Sequence, residues 1–161
     1  GPKRVHRDGD TGTQTNLMVA FPTAGERDPD FAALLVLSRI LDDGMSTRLY
    51  QKVVNELGLA YYVSAGLDSF VDVSIFDVEA TAVHASVPKL LKVVLGLYKD
   101  LRDKPVSEAE LSKIKRRYRW DLLTACDDPG TMADWWGRGE LYQRPIDLNT
   151  RLSRIEAVTA E

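Results

Sequence analysis

The spacing of apolar residues changes period along the chain, and that change restricts the fold more than any other feature. Between Gln14 and Phe21 the residues alternate, with Thr15, Leu17, Val19 and Phe21 facing one way and Gln14, Asn16, Met18 and Ala20 the other. The spacing becomes helical from about 29 to 57, alternates again over roughly 60–68 and 71–82, and is helical thereafter. Residues 3–8 add a weak strand pattern ahead of the polar turn Gly9 to Gly12. Strands followed by helices, twice over, predict an α+β fold: a two-layer sandwich with a largely antiparallel sheet and helices packed on one face.

The element ends carry their own signals. Pro22 to Asp28 reads as a loop, and Asp28-Pro29 as a helix cap with proline in the first turn. In the helix of about 29–42, Phe31, Leu34, Leu35, Val36, Leu37, Ile40 and Leu41 wrap most of the circumference, which predicts burial on more than one side. Gly44 supplies a stop. Ser46 is placed to cap a shorter helix to Leu57, in which Met45, Leu49, Val53 and Leu57 recur every four residues before Gly58.

The two later strands read as a hairpin joined near Asp68-Ser69. In the first, Tyr61 is in phase with Val63, Ala65 and Leu67, opposite Tyr62, Ser64, Gly66 and Asp68. The apolar phase of the second shifts at Ile75-Phe76, which suggests a bulge. Residues 87–103 form an amphipathic helix ending at Lys104-Pro105. Ser107-Glu108-Ala109-Glu110 is a capping box opening a helix that buries Leu111, Ile114, Tyr118 and Leu122, with the basic run Lys113 to Arg119 as its solvated face. Asp128-Pro129 starts a helix through Trp135 and Trp136, with at least one indole toward the core, and a last helix holds Leu148, Leu152 and Ile155.

The sheet face carrying Gln14, Asn16, Ser64 and Asp68 is open to two readings: plainly solvated, or lining a cavity formed with another domain. Composition narrows the function classes. The 161 residues suit one domain over 1–161, and a net charge of -3 with interspersed signs disfavours nucleic acid as a partner. No apolar run approaches the roughly 20 residues of a membrane span. The single cysteine, Cys126, is a filler, and His6 and His84 do not form a two-histidine helical metal motif. No Gly-x-Ser-x-Gly or phosphate-binding glycine loop is present.

Four stretches carry a resemblance: Leu41-Asp42-Asp43-Gly44-Met45-Ser46-Thr47-Arg48-Leu49, Gly58-Leu59-Ala60-Tyr61, Ser107-Glu108-Ala109-Glu110-Leu111 and Ile155-Glu156-Ala157-Val158-Thr159-Ala160-Glu161. In this order and spacing the chain resembles the non-catalytic domain of insulinase/pitrilysin-type zinc peptidases, in the processing-peptidase branch. The resemblance implies a partner domain that holds an extended peptide against a zinc site carried by another domain on a His-x-x-Glu-His motif. It implies no metal or catalytic residue in this chain, and zinc only in the intact assembly. The implied partners are the catalytic domain of the parent chain, a second subunit in a homo- or hetero-dimer, and a peptide substrate.

The family's substrate contact, an arginine and a tyrosine seven residues apart, maps onto Val54 and Tyr61. Valine cannot offer a carbonyl or carboxylate the forked hydrogen bonds of a guanidinium, so this copy of the clamp is expected to be broken. The alternative is a structural assembly domain of a catalytically inactive member. The Gly1-Pro2 start can be read as a cleavage scar, and Thr159 as the cap of a helix and strand that lie beyond Glu161, so the chain is expected to be an excised, truncated piece. A bacterial cytoplasmic or periplasmic setting is expected.

Overall fold

The computed structural model describes residues 12–142 and 147–160; the strand expected at 3–8, His6 and Glu161 lie outside them. The first strand, β1 (Gln14–Ala24), leads to helix α1 (Phe31–Leu41), then to a short turn of helix, α2 (Arg48–Tyr50), that continues as a π-helical segment (Gln51–Glu56). Strands β2 (Tyr62–Ser69) and β3 (Val73–Val83) follow. A 3-10 turn (His84–Ser86) leads into helices α3 (Val87–Asp103), α4 (Glu108–Ala125), α5 (Pro129–Leu141) and α6 (Leu148–Glu156).

The described strands form one antiparallel sheet in the order β1-β3-β2, with helices over one face. Leu17, Val19, Val63, Ala65, Val78, Ala80 and Ala82 meet Leu49, Val53, Leu90 and Val94 in a core beneath the sheet. A second core joins α1, α4 and α6 through Ala32, Val36, Ile40, Leu111, Ile114, Tyr118, Leu122 and Ile155. Helix α1 therefore does bury more than one side, and the four positions expected to be buried on α4 are all buried.

Several local expectations need correction. The pairing of β3 with both neighbours runs without a break, so there is no bulge. Val73 and Ile75 instead sit on the outer face, each 41% exposed, while Ser74, Phe76, Val78, Ala80 and Ala82 line the inner one. Strand β1 continues through Pro22, opposite Ile75; an edge strand tolerates a residue without an N-H. Helix α1 starts at Phe31, since the Asp28 carboxylate accepts from the Asp30 amide at 2.9 Å and closes a turn ahead of the helix. Ser46 is no cap: Thr47 holds that place, donating from Oγ1 to the Gly44 carbonyl at 2.6 Å, while Ser46 accepts from Lys113. Met45 is exposed rather than packed.

The capping box is half made. Ser107 accepts from the Glu110 amide, but the Glu110 carboxylate takes a fork from Arg48. The basic run is also not simply solvated: Lys113 reaches Ser46, Lys115 the Glu156 carbonyl, and Arg117 the Asp43 carboxylate at 3.0 Å. The stops at Gly44 and Gly58 hold, with φ of 99° and 55°. The second follows a π-helix, where the Leu59 amide reaches back to the Val53 carbonyl at 2.9 Å.

Candidate functional site

Among the described residues, the face of the sheet turned away from the helices is left uncovered. Alternation from the register places Asn16, Met18 and Ala20 of β1, Tyr62, Ser64, Gly66 and Asp68 of β2, and Ile75, Asp77, Glu79 and Thr81 of β3 on it. Met18, Tyr62, Ile75 and Val83 stand exposed there. Between Met18 and Tyr62 the surface dips into a shallow depression that Asn16, Glu79 and Thr81 also line, and Thr81 donates to Asn16 Oδ1 at 2.8 Å. No Lys or Arg lies on the described strands.

Asp77 is the exception on this face, because it is buried. It projects from the central strand between Ala20 and Gly66, and its Oδ1 would lie 3.2 Å from a Cβ on Gly66. Burial, followed by the neighbouring charges of Asp68 and Glu79, holds its carboxyl above the ordinary aspartate range.

Tyr61 does not follow the strand phase. Strand β2 begins at Tyr62, so alternation does not govern its neighbour, and the Tyr61 side chain is 93% exposed. Val54 lies in the π-helical segment, half-buried and packed on the core beneath the sheet. The two positions thus occupy different settings, one in solvent and one against the core.

The stretch from Asp42 to Arg48 is committed to the framework. Asp42 Oδ2 accepts the Ala65 amide of β2 at 3.0 Å, Asp43 pairs with Arg117 and Arg39, Thr47 closes the Gly44 turn, and Arg48 holds Glu110. Sequence reading missed the links from Asp42 to Ala65, Asp43 to Arg117 and Arg48 to Glu110 because each joins residues distant along the chain. The sole available signal was that Arg48 and Glu110 both fall in the recognisable stretches.

The described residues do not fit a zinc site. No group of three or more His, Cys, Asp or Glu side chains among them could hold a metal ion. His84 is engaged at both ring nitrogens: Nε2 donates to the Gly12 carbonyl, and Nδ1 is hydrogen-bonded with the Thr15 hydroxyl. Cys126 donates to the Leu122 carbonyl within its own helix. No helix among the described residues is long and apolar enough to cross a membrane.

The model of the peptidase M16 inactive domain matches residues 1–118. The chain belongs to this family. An uncharacterized zinc protease of Mycobacterium bovis is 30% identical to this M16 inactive domain over 158 residues, covering 98% of the chain and 35% of the relative. The domain thus spans about a third of the curated relative's length. A peptidase M16 inactive domain from Pseudomonas fluorescens superposes with a TM-score of 0.82 at 24% identity, covering 92% of this chain and 36% of that one. A chain of complex III2 from Candida albicans does so with a TM-score of 0.81 at 18% identity, covering 94% and 39%. At these identities the superpositions show the α+β fold alone.

Proposed function

We propose that this M16 inactive domain is a non-catalytic, peptide-binding wall of a chamber whose zinc chemistry is supplied by another domain of the parent protein. The observation that supports it is the uncovered sheet face: exposed Met18, Tyr62 and Ile75 beside the polar Asn16, Ser64 and Thr81, with exposed Tyr61 next to it. Apolar side chains held on a rigid sheet give an extended peptide contact area, and the polar ones between them offer hydrogen bonds. The zinc named for the Mycobacterium bovis relative accords with a zinc-dependent parent, which would also supply the catalytic domain and any second subunit.

Hydrogen exchange on the chain mixed with an extended, protease-resistant peptide tests the reading. Protection and slowed exchange over β1 and β3 are expected, with loss of binding in Ile75→Glu. A peptide that leaves the sheet unprotected at millimolar concentration rejects it.

One observation favours the second reading, a structural assembly domain. Val54 stands at the clamp position and is packed against the core, so this copy offers no guanidinium beside Tyr61. A chain of complex III2 from Candida albicans also shares the fold. Val54→Arg tests the clamp itself: a gain in peptide affinity supports the clamp mapping, and no gain in a folded variant counts against it.

A further inference from the structure

Two cavities outside the sheet face share Glu26, Arg27 and Arg151 in their walls. The larger, about 380 Å³, lies where the start of α1 meets α6, within the range of small-molecule sites. Its lining is apolar at Phe31, Leu35 and Ile155 and basic at Arg27, Arg151 and Arg154.

Arg151 is held in place before any ligand arrives. Its Nε donates to the hydroxyl of buried Tyr118 at 2.5 Å, and its guanidinium lies 4.4 Å from the centre of the Trp135 ring. These contacts fix the plane and leave the terminal nitrogens without an acceptor among the described residues. Arg154, one turn further along α6, meets no carboxylate there either. The acids of the same wall are occupied: Glu26 by Ser69 and Arg138, and Asp28 by the Asp30 amide. A fixed guanidinium fork beside an apolar wall matches a planar carboxylate joined to an aliphatic group. Phosphate would leave that wall uncovered.

We propose that this cleft binds an apolar carboxylate, such as the last residue of a peptide ending in an aliphatic side chain. The cleft is separate from the sheet face, so the proposal does not rest on the peptide-wall reading. Calorimetric titration of the chain with N-acetyl-leucine, N-acetyl-leucinamide and octanoate tests it. The acid is expected to bind saturably and the amide at least about tenfold more weakly, since charged hydrogen bonds are lost. Arg154→Gln, at an exposed position, is expected to fold normally and weaken the acid by about tenfold. Arg151→Lys, which keeps the charge and loses the fork, is expected to do the same. Preference for N-acetyl-leucine over octanoate assigns a peptide end, and the reverse a free aliphatic acid. Equal binding of acid and amide, no saturation by either carboxylate, or unchanged affinity in folded Arg154→Gln overturns the proposal.

Discussion

Arg48 and Glu110 face each other as fork and carboxylate, Nε to Oε1 at 2.8 Å and Nη2 to Oε2 at 2.6 Å, each side chain 27% exposed. Helix α2 is thereby tied to the start of α4. The partnership raises the arginine pKa, chiefly through the hydrogen bonds to Glu110. Glu110→Gln and Arg48→Lys should each lower unfolding free energy by about 2 kcal/mol, because a half-buried charge loses its partner and lysine cannot reproduce the fork. The double replacement Arg48→Lys/Glu110→Gln should cost less than the two single losses summed. Urea denaturation of the four proteins measures the coupling, and additive losses would remove the pair from the account.

Tyr98 places its hydroxyl in the interior with no partner among the described residues, edge-on to Phe21 and Phe76. Burial, and then the charge of Asp77, pushes its pKa up to about 12. Above pH 10 the unfolded chain releases this proton while the folded one retains it, so stability falls as pH rises from about 10 to 12. Tyr98→Phe should flatten that decline and leave neutral-pH stability equal or slightly higher. Melting temperature against pH for both proteins reads the difference.

Asp77 follows the same sign of linkage in a lower pH window. With its pKa raised by burial, Asp68 and Glu79, the folded state holds the proton more tightly than the unfolded one. That contribution is complete below the unfolded carboxylate value near 3.8 and is lost as pH rises through the folded value. Asp77→Asn is therefore expected to be more stable than the parent at pH 7, with the gap closing in acid. A gap that widens in acid would mean that the carboxylate is stabilised as an anion.

Gly25 and Gly66 should respond differently to alanine. A Cβ on Gly25 would come within 2.4 Å of the Asp72 carbonyl carbon and 2.5 Å of the Val73 nitrogen, both backbone atoms that cannot swing aside. Gly25→Ala should cost about 3 kcal/mol. At Gly66 the nearest atom is Asp77 Oδ1 at 3.2 Å, on a side chain that can turn; a smaller loss is expected, and Asp77→Asn should change it. Paired denaturation curves decide.

Periodicity made the layers legible because burial imposes it directly. Residues 87–103 and the buried row Leu111, Ile114, Tyr118 and Leu122 emerged where expected. It misled at Val73 and Ile75, where apolar residues face outward, and at Tyr61, which lies just ahead of its strand. Ser46 and Thr47 are both plausible caps by type; Thr47 stands at the helix start with its hydroxyl turned back to the Gly44 carbonyl, and Ser46 accepts from Lys113. Nothing in composition announces a π-helix, although apolar residues every four positions run ahead of a 3.6-residue turn. The fixed fork of Arg151 was invisible because Tyr118 and Trp135 come from two other helices.

The carboxylate of Asp42 sits on the Ala65 amide, halfway along the outer rim of β2. A foreign strand zipping onto that rim would need this amide and would find it taken, with an anion in the way. The rim is thus a poor template for self-association. Any extended segment that approaches β2 from this side must stop short of Ala65 or turn onto the open surface of the sheet.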